Sequence, residues 1–333
     1  MPAVDQRRVG VAGVNKFQGR DWPRAIRKSR DTAVVTVPGP LTPAESRSQV
    51  CERAAIVTAR RITAIEESQI GLVLSLFPGI DLLGRGFEDE GACVVRGPDV
   101  LWGGDIRSFS PPRGVFRGII AGSPCQDFSR ARRSPPTGEG MELLGEFVRC
   151  VVTAWPEWFL LENVPTVPAV VIDGYQVQRF DLRACEVGLK QSRLRHFQFG
   201  SRDGKILVLD RDSTALGWRQ LSHGLQRCCM ASEGGRKGRR SFADFCQLQG
   251  LPRNFSIEPL CKGWRYRVVG NGVPVPMARL VARAVKGMRA AGEVTVCRCG
   301  CGRPVTGKAV SSGPACRKRL ERARRDAAGG VNL

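Results

Sequence analysis

From residue 71 onward the chain alternates short apolar runs with segments of helical spacing, and that alternation leaves few folds open to it. GLVLSLF (71–77) reads as a buried strand running into a tight turn at Pro78-Gly79. DLLGRGFEDEG (81–91) has a helical pattern, and ACVVRG (92–97) is a second strand. FRGIIAG (116–122) makes a third strand, GMELLGEFVRCVVTAW (140–155) a helix and EWFLLEN (157–163) a fourth strand. This pace predicts an α/β fold on a parallel sheet, with ligands at the carboxyl ends of the strands. Further on, RHFQFGSRDGKILVLD (195–210) reads as a hairpin turning at Ser201 to Gly204. SFADFCQLQG (241–250) is a helix stopped by Gly250 and Pro252, and VPMARLVARAVKGMRAAG (275–292) is an amphipathic helix. Residues 1–70 show little periodicity, apart from a helix expected near 44–69, and read as a poorly organised basic extension.

The charge balance narrows the partner. Lys and Arg number 52 against 31 Asp and Glu in 333 residues, a net charge of +21, which suits a polyanion because each neutralised phosphate releases counterions. No uninterrupted apolar stretch approaches the roughly 18 residues of a membrane span, so no membrane partner is expected. The first residues lack the apolar run of a secretion signal, which points to a cytoplasmic protein. The 13 cysteines are odd in number and mostly scattered, so a disulfide framework is not expected. Two places invite cysteine chemistry: a Pro-Cys-Gln loop at 124–126, and a Cys-x-Cys-x-Cys run near the end.

The third strand runs into GSPCQDFS (122–129), which sets Cys125 on a loop at a strand's carboxyl end, a place suited to a nucleophile. An ordinary thiol is only a few per cent thiolate at neutral pH, so Cys125 needs local activation. LLENVP (160–165) puts Glu162 at the end of the next strand, facing the same cleft. QSRLRHF (191–197) places Gln191, Arg193 and Arg195 at alternate positions, on one face if the chain is extended there.

Taken in order, these segments resemble the DNA cytosine-5 methyltransferase family. SLFPGID (75–81) resembles its first cofactor motif, and GGDI (103–106) its adenine-contacting Asp-Ile. GSPCQ resembles the catalytic loop, Glu-Asn-Val (162–164) the motif that follows it, and QSRLR the Gln-x-Arg-x-Arg motif. RRSFADFCQLQGLP (239–252) and VGNGVPVPMARLVARAV (269–285) resemble the ninth and tenth motifs. The likeness runs over roughly residues 71–290 in the family's order.

The resemblance implies a Rossmann-like, S-adenosylmethionine-dependent methyltransferase core. Cys125 would attack carbon 6 of a flipped-out cytosine, Glu162 would hold its N3 and amine, and Arg193 with Arg195 would contact the ring oxygen or a phosphate. Phe77, Gly79, Ile80, Asp105, Ile106 and Pro124 would lie at the cofactor, with Asn271 and Val273 near its methionine end. Gln126, Gln191, Arg239 and Arg240 would meet DNA. Two positions depart from the family pattern. Asp81 stands where glycine is usual and is expected to point outward, and Asp99 is the best candidate for the acid that holds the ribose.

These readings divide the chain into a basic extension (1–70), a catalytic cofactor-binding domain (71–200) and a short target-recognition region (201–240). Residues 241–292 complete the catalytic domain, and 297–333 form a Cys-rich basic tail. The short region suits a recognition site of a few base pairs. His223, Cys228 and Cys229 are poorly spaced for a metal and read as packing. In the tail, Cys297, Cys299, Cys301 and Cys316 could make a four-thiolate zinc site, the alternative being a reduced, loosely ordered basic tail. The tail has 9 basic and 2 acidic side chains, which favours non-specific DNA affinity. The expected activity is methylation of double-stranded DNA by a monomer, solitary or beside a cognate restriction endonuclease, in a bacterial or phage-infected cell. The alternatives are an RNA cytosine-5 methyltransferase of the same fold and a non-catalytic DNA-binding relative.

Overall fold

A computed structural model of the chain describes residues 70–321 apart from 130, 131, 133, 212–223, 259, 294, 300–302, 306–308, 312, 315 and 319. The helix expected near 44–69, His223 and Cys301 lie outside the described residues.

Six strands form the central sheet: β1 (Leu72–Leu76), β2 (Cys93–Arg96), β3 (Gly118–Gly122), β4 (Trp158–Asn163), β5 (Gln176–Arg183) and β6 (Leu194–Ser201). Their order is β2-β1-β3-β4-β6-β5. The first four run parallel, whereas β6 is antiparallel to both β4 and β5. The sheet is therefore mixed, and only its first four strands follow the parallel expectation. Within those strands neighbouring residues face opposite ways. Val73, Ile120 and Leu160 enter one core, while Leu74, Ile119, Phe159 and Leu161 enter the other. Both faces are covered, which is why the runs are apolar throughout rather than alternating with polar residues.

Helix α1 (Leu82–Glu88) lies with α5 (Val275–Lys286) on the first face, where Phe87, Met277, Ala278 and Val281 join the core. A Cβ on Gly86 would lie 2.3 Å from that of Ala278, so the two helices touch through a missing side chain. The ion pairs Arg279–Asp89 (2.7 Å) and Arg283–Glu90 (2.8 Å) border the contact. Helix α2 (Glu139–Ala154) covers the opposite face through Leu143, Phe147 and Val151. A third cluster joins α3 (Phe242–Leu248) and α4 (Lys262–Asn271) through Phe245, Leu248, Tyr266 and Val269, and includes Leu82 of α1. Among the described residues, no helix is long and apolar enough to cross a membrane.

Two expectations need correction. Residues 195–210 do not form a hairpin, because β6 has both edges taken by β4 and β5. The short β7 (Lys205–Ile206) instead pairs with β8 (Arg289–Ala290). Beyond β7 the chain is held by the side chain of Gln178, whose amide accepts from Leu207 N at 2.8 Å and donates to Leu207 O at 3.0 Å. The helix expected to reach residue 292 stops at Lys286, where the Gly287 amide closes on Arg283 O at 3.0 Å and β8 follows. Strand β5 and helix α4 were not anticipated.

Two glycines set the sheet's packing. A Cβ on Gly118 would lie 2.1 Å from the Trp158 ring, and one on Gly200 would lie 2.2 Å from Phe159. Trp158 cannot retreat, since it is fully buried between Phe87 (6.0 Å between ring centroids) and Phe199 (6.3 Å). Gly118→Val is therefore expected to destabilise the chain by about 1–3 kcal/mol or more through overpacking. A lowered midpoint in urea with an unchanged slope would bear this out.

Candidate active site

Three carboxyl ends meet at one edge of the sheet. The register sets Leu76 of β1 beside Ala121 of β3, and Gly122 of β3 beside Glu162 of β4. The turn after β1, the loop after β3 and the end of β4 therefore share that edge.

Cys125 sits in the β3 loop, partly buried. Asn163, the last residue of β4, grips the start of that loop: its Nδ2 donates to Ser123 O (3.1 Å) and Ser123 Oγ (2.8 Å). Thr166 Oγ1 donates to Phe128 O on the far side. Asp127 accepts from Thr137 N (3.0 Å) and Gly140 N (2.8 Å), which ties the loop to the start of α2 and holds its carboxyl below the usual range. Glycine at 140 is needed here, since a Cβ would lie 2.9 Å from Asp127 Cβ. Pro124 lies between these anchors and Cys125, and Gln126 is exposed.

Glu162 is almost fully buried, with Arg195 Nε 2.9 Å from its Oε1. Apart from that ion pair, Oε1 accepts no hydrogen bond. Burial pushes the Glu162 carboxyl up, against the pull of Arg195 and then Arg193. Burial also pushes the Cys125 thiol above its usual range; Arg195 opposes this, Glu162 adds to it and Arg193 opposes it. At rest this is a thiol and a carboxyl, both of which burial favours in their protonated forms, with the Arg195 guanidinium paired to the carboxyl and its charge acting on the thiol. Such a group can bind an amidine-like edge and stabilise an anion on sulfur.

Arg193 occupies a different position from the one expected. It is 1% exposed and directs its donors into the scaffold: Nη1 to Cys229 O (3.0 Å), Nη2 to Gly272 O (2.8 Å) and Asn271 O (3.3 Å). Arg195, not Arg193, is the first arginine at the thiol and carboxyl.

Gln191 is likewise a correction to the DNA-facing expectation. It is fully buried, donating to Leu248 O and to Gln249 Oε1 (3.0 Å) and accepting from Cys229 N (3.3 Å). Arg240 is held by Glu233, with Nε 2.6 Å from Oε1, and by the carbonyls of Arg227 (2.9 Å) and Cys228 (3.3 Å). Arg239 and Gln126 remain on the surface. Cys229 packs with Phe245 and Tyr266, and Cys228 Sγ lies 3.5 Å from Arg193 Nη1.

The turn after β1 is unusual backbone. Phe77 (φ 52), Gly79 (φ 56) and Asp81 (φ 53) are all left-handed, and two of the three are not glycine. Asp99 secures it: Oδ2 accepts from Gly79 N at 2.8 Å and Oδ1 from Leu101 N at 2.8 Å. Exposed Trp102 donates from Nε1 to Gly79 O at 2.7 Å, so both backbone groups of Gly79 are held by one segment. A Cβ on Gly79 would meet nothing within 4 Å, which leaves open space over the turn. Ile80 packs against the third cluster, Ile106 is buried, and Asp105 is exposed beside Arg107 (3.3 Å). Asn271 and Val273 flank Gly272, where a Cβ would lie 2.7 Å from Leu82, so the later segment reaches the start of α1.

Asp81 does not point outward as expected. It is buried, accepting from Ser75 Oγ (2.8 Å) and Gly84 N (2.9 Å), with Arg96 Nε 3.0 Å from Oδ2. It caps α1 from inside the turn, which explains how a carboxylate can stand where glycine is usual. The residues that sequence reasoning passed over are Asn163 as loop anchor, Asp127 and Trp102. Only Asn163 carried a signal, as part of the Glu-Asn-Val motif.

Alkylation of Cys125 by iodoacetamide is expected to accelerate with pH through a midpoint above that of an ordinary thiol. Arg195→Gln raises the thiol further, so labelling at neutral pH slows several-fold; mass spectrometry of the Cys125 peptide measures both. Arg193→Met takes this donor from Cys229 O and Asn271 O and leaves Gly272 O with Gln249 Nε2 (3.1 Å); it is expected to cost about 3 kcal/mol, read as a lowered urea midpoint.

Known proteins bear on this arrangement. Residues 103–170, which hold Cys125 and Glu162, match the family model for the C-5 cytosine-specific DNA methylase. The chain is 24% identical over 188 residues to the Type II methylase M.HgiDII of Herpetosiphon aurantiacus, covering 46% of this chain and 53% of that protein. It is 32% identical over 172 residues to the Type II methyltransferase M.DdeI of Desulfomicrobium norvegicum, covering 40% and 41%. The chain thus spans about half the length of the curated relatives it matches. The solved structure of the methyltransferase EhMeth of Entamoeba histolytica is 13% identical, with a TM-score of 0.48, covering 64% of this chain and 97% of that one. The likeness to the C-5 cytosine-specific DNA methylase family thus rests on residues 103–170 and on relatives matched over part of their length.

Proposed function

We propose that this chain methylates carbon 5 of cytosine in double-stranded DNA, with S-adenosylmethionine as donor and Cys125 as the covalent nucleophile. The observation that carries the reading is the meeting of Cys125, Glu162 and Arg195 at the sheet edge that also holds the Gly79 turn. The turn fits the donor: its central residue has no Cβ and has open space above it, with the exposed Trp102 ring alongside.

Carbon 5 of cytosine is a weak nucleophile and must first be made enamine-like. Cys125 loses its proton and its sulfur bonds to carbon 6, which moves the ring electrons toward carbon 5. Glu162, whose raised affinity for protons suits it to the task, donates to N3 and accepts from the exocyclic amine. Arg195 holds that carboxyl in place and favours the anionic sulfur. Bound S-adenosylmethionine would supply an electrophilic methyl group to carbon 5, its sulfur–methyl bond breaking to leave a neutral thioether. A base then removes the carbon 5 proton, the sulfur–carbon 6 bond breaks and Cys125 is regenerated. The target base must leave the stack to reach a loop thiol, at a cost of a few kcal/mol. The chain's net charge of +21 and exposed side chains such as Arg239 and Gln126 help offset that cost by gripping the duplex.

Residues 201–240 are the proposed reading segment, between the Gln-x-Arg-x-Arg and ninth motifs. The Type II names of the relatives support a place beside a cognate restriction endonuclease, in the cytoplasm of a bacterial or phage-infected cell.

Labelled donor offered with double-stranded DNA and with RNA tests the substrate, and bisulfite sequencing of the DNA reads the site. Methyl transfer to DNA at a short recurring sequence is expected; transfer to RNA alone would overturn the DNA reading. Cys125→Ser should lower transfer by at least about a thousandfold while DNA affinity stays within about twofold. Transfer that survives this substitution would refute the covalent route.

A further inference from the structure

The end of the chain carries a cluster of thiols that methyl transfer does not use. Cys297, Cys299 and Cys316 converge, with all three sulfurs within 4.8 Å of one another and Cys297 Sγ 3.3 Å from Cys299 Sγ. Cys297 and Cys316 are buried. Thiolates placed tetrahedrally about zinc, each about 2.3 Å from the ion, stand about 3.8 Å apart, so the observed spread brackets the spacing that zinc requires.

The surroundings suit an ion better than an apolar core. Among the described residues, the hydrophobic cluster here consists of Cys297, Cys316, Cys299 and Val305. Among the described residues, these four side chains, three of them thiols, present little apolar surface. Yet the backbone is ordered around them. Cys297 N donates to Arg303 O (2.8 Å), Arg298 N to Val310 O (3.0 Å), and Val296 bridges to Pro304. Cys316 follows Pro314 into a helical turn in which Arg317 N donates to Gly313 O (3.0 Å). Arg303 Nη1 lies 4.0 Å from Cys316 Sγ. The same guanidinium pairs through Nη2 with Glu186, a buried carboxylate that also accepts from Arg183 N (2.8 Å) next to β5. Arg303 thus joins the thiol cluster to the catalytic sheet.

We propose that Cys297, Cys299 and Cys316 bind one zinc ion as thiolates, in a structural site that anchors the basic tail to the catalytic domain. The thiol protons leave to solvent as the metal binds. Arg303 acts as a positioning residue, and the exposed Arg317 and Lys318 that follow Cys316 face solvent, where a DNA phosphate could reach them.

The test uses the full chain and zinc itself. Protein purified without chelator should carry about one zinc per chain by mass spectrometry. Cobalt(II) exchanged for the zinc should show thiolate-to-metal charge-transfer absorption. Cys297→Ser combined with Cys316→Ser should lower zinc by at least about tenfold and abolish the absorption, while Cys261→Ser, an exposed cysteine on another element, keeps both. Far-UV circular dichroism shows whether the double variant is folded. If the unaltered chain holds no zinc, either as isolated or after dialysis against equimolar zinc, the proposal fails. It fails equally if the double variant keeps its zinc.

Discussion

One buried guanidinium connects the parts of this molecule that are far apart in sequence. Arg193 enters β6 and bonds the carbonyls of Cys229, Asn271 and Gly272, so it ties the sheet to the segment before α3 and to the junction of α4 and α5. Burying such a charge costs several kcal/mol. Three carbonyl bonds, each worth about 1.5–3 kcal/mol to a charged donor, roughly offset that cost. The net gain in stability is therefore small. What Arg193 contributes is a unique arrangement, since no neutral side chain could serve all three carbonyls at once.

Arg193 stands just before β6, and Arg195 is the second residue of that strand. Gln191, Arg193 and Arg195 step along one direction from the scaffold to the site. Gln191 joins Gln249, which in turn donates to Val269 O (2.6 Å), all within the interior. Arg193 bridges, and Arg195 reaches Glu162. The position of the Arg195 guanidinium thus depends on two buried polar residues behind it, and the Glu162 carboxyl is held in turn by Arg195.

Much of this was legible in the sequence wherever a residue pattern had one physical solution. The runs at 71–77, 116–122 and 157–163 could only be strands covered on both faces, and their carboxyl ends had to share an edge. Cys125 and Glu162 follow from that edge. Strand β5 was less visible, because its exposed and half-buried positions carry Gln176, Gln178 and Arg179 and its core residues are few. Helix α4, KGWRYRVVGN, has no apolar stripe and is held by Tyr266 and Val269 in the third cluster. The hairpin at 195–210 was misread because a strand with two partners shows the same local pattern as one with a returning neighbour. Arg193 and Gln191 were misplaced for a related reason: a polar residue on a strand reads as surface until its burial is known. Asp81 shows the same ambiguity in a turn, where a capping carboxylate and a solvent-facing one look alike.

The closure of α1 by α5 also sets an order of events during synthesis. The strands bearing Cys125 and Glu162 are made well before Gly272, 79 residues beyond Arg193, and before the Ala278 that fills the groove at Gly86. A growing chain adds only about 5–20 residues per second, so for several seconds the nucleophile exists without the scaffold that positions its arginine. During that interval the nascent chain holds a thiol but no assembled site. The cleft at the carboxyl edge of the sheet is thus complete only once the polypeptide has been made past α5.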